Sequence, residues 1–81
     1  MKRFSIKELA QYHGRDGAPA YFAYNGMVYD ASSSFLWQNG EHQVSHVAGE
    51  DLSNALNQAP HGEDLLQRLP IIGILVDDEP D

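Results

Sequence analysis

Apolar and polar residues alternate with different periods along this chain, and each change of period marks an element. Ser5 with Glu8 three residues on reads as a capping box. In "IKELAQYH" (6–13), Ile6, Leu9 and Ala10 recur at helical spacing, which predicts a helix over 6–13 stopped by Gly14. "GRDGAP" (14–19) is a loop. "AYFAY" (20–24) and "MVYDA" (27–31) read as two short strands around Asn25-Gly26, the strongest two-residue hairpin signal.

"SSSFLWQNG" (32–40) reads as a short helical turn with Phe35, Leu36 and Trp37 turned inward, ended by Asn39-Gly40. "HQVSHVA" (42–48) fits two helical turns before Gly49. "EDLSNALNQA" (50–59) predicts a helix with Leu52, Ala55 and Leu56 at helical spacing and Glu50 or Asp51 near its start. "GEDLLQRL" (62–69) predicts another, stopped by Pro70. "IIGILV" (71–76) closes the chain as a buried strand with Gly73 inside it. Strands towards both ends around a cluster of short helices imply an α+β domain with a small mixed sheet.

Length and composition narrow the classes. The 81 residues, 42% hydrophobic, make one small domain over 1–81, near the size at which a single core only just suffices. Domains this short often gain stability from a disulfide, a metal or a cofactor. With no cysteine, disulfides, thiolate zinc sites, iron–sulfur clusters and covalent haem attachment are excluded. Five Lys and Arg against twelve Asp and Glu give a net charge of −7, which disfavours nucleic acid and favours encounter with basic proteins. Part of that excess lies in the tail 76–81, "VDDEPD". The start lacks a secretory apolar run, and no window reaches the ~20 apolar residues of a membrane span. The expectation is a cytoplasmic protein.

Three of the four histidines fall between residues 42 and 62, and imidazole is the commonest neutral metal ligand. His13, at the end of the first predicted helix, reads as a surface residue at the negative end of the helix dipole. His42 and His46, four apart, would share one helix face. The zinc-protease pattern HExxH is not met, because Gln43, Val44 and Ser45 intervene and the general-base glutamate is missing. A closed zinc site from His42, His46, His61 and a carboxylate is a separate option. His61 sits between Pro60 and Gly62, at a stiff corner joining two predicted helices. Val44, Leu52, Leu56, Leu65, Leu66 and Leu69 surround these histidines with apolar side chains. One histidine from each wall of an apolar cleft suits a haem iron.

In "FSIKELAQYHG", "GMVYDASSSFL", "HVAGEDLSNAL", "APHGEDLL" and "LPIIGIL", in that order and spacing, the chain resembles the cytochrome b5-like haem/steroid-binding family. The resemblance spans nearly the whole chain and implies that family's fold, with short helices forming an apolar haem cleft. It implies His61 as one axial ligand. The family's other histidine lies in HPGG, where this chain has "FLWQNGEH"; it resembles instead the small prokaryotic members and the membrane-associated progesterone-receptor branch. That branch ligates iron with a tyrosine, whose place here is held by Val44. The second ligand is then His42, which is preferred, or His46, unless His61 alone holds the iron.

The function implied is that of an electron carrier and not of an enzyme: non-covalent haem b held by two histidines, cycling between ferric and ferrous iron. Phe35, Trp37, Val44, Leu52, Leu56, Leu65 and Leu66 would line the cofactor. Glu41, Glu50, Asp51, Glu63 and Asp64 would meet a basic redox partner, although carboxylates also favour helix starts for their own sake. Tyr12, Tyr21, Tyr24, Tyr29 and Phe22 read as core and hairpin packing. The alternative is a non-redox module of the same fold, for a steroid-like or other apolar ligand or a protein partner.

Overall fold

A computed structural model describes residues 2–32, 41–42, 46–58, 66 and 69–76, with the backbone alone at 41, 42, 46, 47 and 58. Its elements in chain order are β1 (Lys2–Phe4), α1 (Ile6–Leu9), β2 (Tyr21–Tyr24), β3 (Met27–Asp30), β4 (Glu41–His42), β5 (His46–Val47), α2 (Ser53–Gln58) and β6 (Ile71–Leu75). The main sheet runs β1-β6-β3-β2, and β4 and β5 form a separate two-stranded sheet. β1 lies parallel to β6, while β6–β3 and β3–β2 are antiparallel. The expected α+β architecture with a mixed sheet is therefore observed.

Local chemistry explains the β2–β3 hairpin. Asn25 and Gly26 take φ of 49° and 84°, the left-handed conformation that a two-residue turn needs and that Asn-Gly adopts cheaply. α1 begins as expected: Ser5 Oγ accepts from Glu8 N at 3.1 Å and Glu8 Oε1 accepts from Ser5 N at 3.3 Å. Its end differs from the expectation. The helix stops at Leu9 and the chain turns through Tyr12, whose carbonyl accepts from Tyr21 N at 3.0 Å. Leu9 is buried, but Ile6 is 46% exposed, so the three-residue apolar face is reduced to Leu9. Four helical residues are too few to present a stripe.

β1 is a strand that the hydrophobic pattern does not announce. It joins the sheet because β6 offers it a place: Lys2, Arg3 and Phe4 pair with Gly73, Ile74 and Leu75. Gly73 makes this approach possible. A Cβ there would lie 2.5 Å from the Lys2 carbonyl oxygen and 2.7 Å from the Phe4 ring. The Phe4 ring takes that space and meets Tyr12 and Tyr21 edge-on at 5.7 and 5.8 Å, while those two tyrosines stack at 4.6 Å.

Strand alternation sends successive side chains to opposite faces, and both faces of this sheet carry a core. Phe4, Leu9, Ala23 and Val28 make one, joined by Tyr12, Tyr21, Ile72 and Leu75. Ala20, Phe22, Tyr24, Ala31, Ala48, Leu52 and Leu56 make the other, joined by Tyr29, Leu66 and Leu69. Thus α1 covers one face and α2 the other. Burial of Phe22, Val28, Leu9 and Phe4, each at most 1% exposed, contributes roughly 1.5–3 kcal/mol per side chain. The described tyrosines and Phe22 serve packing, as the sequence indicates.

Candidate cofactor site

The face covered by α2 is built from a strap along the outer edge of β2. Gly49 N donates to Tyr21 O at 2.7 Å, Ala23 N to Glu50 O at 3.0 Å and Leu52 N to Ala23 O at 2.8 Å. With Tyr21 N bound to Tyr12 O, every outward-facing backbone group of Tyr21 and Ala23 has a partner, so this edge is closed. Gly49 holds φ of 91°, a conformation that favours glycine. There its Cα would direct a Cβ to 3.4 Å from Ala10 O and 3.5 Å from His13 Cα.

The strap then launches α2. Asp51 Oδ1 accepts from Ser53 N at 3.0 Å and Ser53 Oγ at 2.6 Å. Ser53 Oγ accepts in turn from Asn25 N at 2.7 Å. An Asx turn of this kind competes with helix, which is why α2 starts at Ser53 and not at Glu50. Leu52 and Leu56, at 5% and 2% exposure, pack on Phe22 and Tyr24. The Tyr24 hydroxyl donates to Asn57 Oδ1 at 2.7 Å, fastening α2 to β2.

Ahead of the strap stand two histidines in a geometry unlike the one expected. "HQVSHVA" is not helical at His42 or His46: β4 and β5 pair antiparallel, with Glu41 opposite Val47 and His42 opposite His46. The two residues share one rung of a hairpin instead of successive turns of a helix. His13 also differs from the sequence reading. The helix ends well before it, and its Nδ1 accepts from Arg15 N at 3.1 Å, stabilising the turn through Gly14.

Of the residues expected to line a cofactor, Leu52, Leu56 and Leu66 come together in one cluster. Phe35, Trp37, Val44, Leu65 and His61 lie outside the described residues, as do the turn at 33–40 and most of the helix expected at 62–69. Leu69 N donates to Leu66 O at 3.2 Å, just before β6. The chain on both sides of His61 in sequence, at Leu56 and at Leu66, packs on the same face. Glu50 and Asp51 are exposed, but Asp51 also starts α2. Tyr24 and Tyr29, read from the sequence as core and hairpin packing, sit in this same cluster.

A porphyrin needs an apolar wall without orphaned polar groups, and neutral nitrogen donors for its iron. Among the described residues, the α2-side cluster would supply apolar side chains to such a wall, and the hydroxyl of its Tyr24 is bonded to Asn57.

Comparison with known proteins agrees with this geometry. The Cytochrome b5-like Heme/Steroid binding domain matches residues 5–76. A cytochrome b5 domain protein of Hadesarchaea YNP_N21 is 49% identical, with a TM-score of 0.87 over 94% of this chain and 100% of that one. One from Methanococcoides burtonii is 46% identical, with a TM-score of 0.88 over 94% and 99%. An Arabidopsis thaliana protein with a cytochrome b5 like fold, 23% identical with a TM-score of 0.71 over 94% and 92%, shares the fold. No curated protein matches the chain significantly. A match over most of the chain, joined by two relatives near half identity, shows that this protein belongs to the cytochrome b5-like haem/steroid-binding domain family.

Proposed function

We propose that the protein is an electron carrier that holds non-covalent haem b between His61 and a histidine of the β4–β5 hairpin, His42 in the preferred assignment. One observation carries the reading. The strap at 48–52 joins a two-histidine hairpin directly to a buried apolar wall, and that wall also receives Leu56 and Leu66, five positions before and after His61 in sequence.

Bound haem supplies a one-electron couple between ferric and ferrous iron. The protein's own contributions are ligation, exclusion of water and partner recognition. His61 and His42 would each hold the iron through a neutral nitrogen, a ligand pair that would favour electron transfer over oxygen chemistry. Leu52 and Leu56, held on Phe22 and Tyr24, keep the lining dry, and Phe35, Trp37, Val44, Leu65 and Leu66 complete it. Glu50 and Asp51, with Glu41, Glu63 and Asp64, give a chain of net charge −7 a means of meeting a basic redox partner by electrostatic steering.

Hemin titrated into the purified protein should saturate at one equivalent, with a sharp Soret band that shifts on dithionite reduction. His61→Ala should abolish the low-spin spectrum. A featureless, non-saturable titration would remove the haem reading and leave the non-redox module for a steroid-like or other apolar ligand.

A further inference from the structure

We propose that Asn25 is a deamidation site whose reaction the fold holds in check through the Ser53 hydroxyl. Asn25 and Gly26 are exposed at the tip of the β2–β3 hairpin, and a Cβ on Gly26 would meet nothing within 4 Å. The Gly26 amide nitrogen is therefore unhindered beside a carboxamide one ring closure away. In that closure Gly26 N attacks Asn25 Cγ, the Cγ–Nδ2 bond breaks, and ammonia leaves with the proton from Gly26 N. Water then opens the cyclic imide at either carbonyl, giving aspartate or isoaspartate. Water is the sole co-reactant, and haem plays no part.

The check comes from the turn's conformation and its two anchors. Asn25 holds φ of 49°, in the left-handed well whose ψ lies near about +47°. That ψ turns Gly26 N away from Cβ across the Cα–C bond, whereas ring closure needs the two eclipsed. The backbone must leave the turn before it can react. Two hydrogen bonds oppose this: Asn25 N donates to Ser53 Oγ at 2.7 Å, and Leu75 N donates to Gly26 O at 2.8 Å. Ser53 Oγ is itself fixed by donating to Asp51 Oδ1 at 2.6 Å. Reaction then waits on local opening of the turn, a state that few molecules occupy at any time. The change is one-way. Isoaspartate lengthens the backbone by a methylene, so both anchors can no longer be met, and either product adds a negative charge two hydrogen bonds from Asp51.

The test incubates the full chain at mildly alkaline pH and follows conversion by peptide-mapping mass spectrometry. The map must resolve Asn25 from Asn39, which also precedes a glycine. In the folded chain Asn25 should convert at least about tenfold more slowly than in denaturing guanidinium. Ser53→Ala should speed conversion about fivefold, the weight of one ordinary hydrogen bond, and Ser53→Thr should restore the wild-type rate. Guanidinium below the unfolding transition should leave the wild-type rate flat, because opening one turn exposes little surface. Equal rates in folded and denatured chains would overturn the proposal, as would a Ser53→Ala chain that is folded by circular dichroism and reacts at the wild-type rate. A rate that climbs with guanidinium as steeply as unfolding does would overturn it too, since global unfolding would then be the gate. The guanidinium series needs no variant, so a Ser53→Ala chain that does not fold leaves the proposal decidable.

Discussion

Gly73 shows how much one missing atom decides. It sits in the central β6 between Val28 on β3 and Lys2 on β1, and the Phe4 ring occupies the space a Cβ would need. Because the nearest obstacle is the Lys2 backbone carbonyl at 2.5 Å, relief requires a strand to move. Gly73→Ala should therefore destabilise the fold by about 1–3 kcal/mol, the usual cost of overpacking. Urea unfolding followed by circular dichroism measures it; a midpoint within error of wild type would disprove the close approach. A glycine inside an apolar run already suggests tight backbone contact. Its occupant, the ring of Phe4, is distant in sequence and invisible from it.

Among the elements, local signals and long-range ones fared differently. The capping box at Ser5 and the Asn25-Gly26 turn are short-range devices, and both form where the residues indicate. Ser5→Ala removes the acceptor for Glu8 N and should cost about 1 kcal/mol, or roughly 4–8 °C in melting temperature for a domain of this size. Scanning calorimetry reads this, and an unchanged melting temperature would mean that α1 is held by Leu9 alone. The histidine hairpin is the opposite case. A spacing of four is one helical turn, but it is also the spacing of two residues facing each other across a three-residue loop. Periodicity cannot separate them. The strap paired to β2 fixes the chain immediately after β5, and the hairpin is the form observed there.

At the scale of the whole molecule, two cores share one thin sheet, and the α2 side depends on a few leucines and aromatics. A ligand that binds only the folded chain stabilises it by mass action. Hemin at a hundred times its dissociation constant should add about 2.7 kcal/mol, raising the melting temperature by about 10–20 °C. No rise in differential scanning fluorimetry would argue that the folded state does not select haem. Residue order by itself determined the α+β class, the β2–β3 hairpin, the start of α1 and the closing strand, because these depend on neighbours a few positions apart. The histidines proposed as ligands and the leucines proposed as lining were legible as candidates for the same reason. Only the tertiary structure decided that β1 lies against β6, that α1 stops at Leu9, that His13 braces a turn, and that His42 faces His46. Each of these depends on hydrogen bonds or van der Waals contacts set by how the chain pairs and turns in space, which its local pattern does not encode.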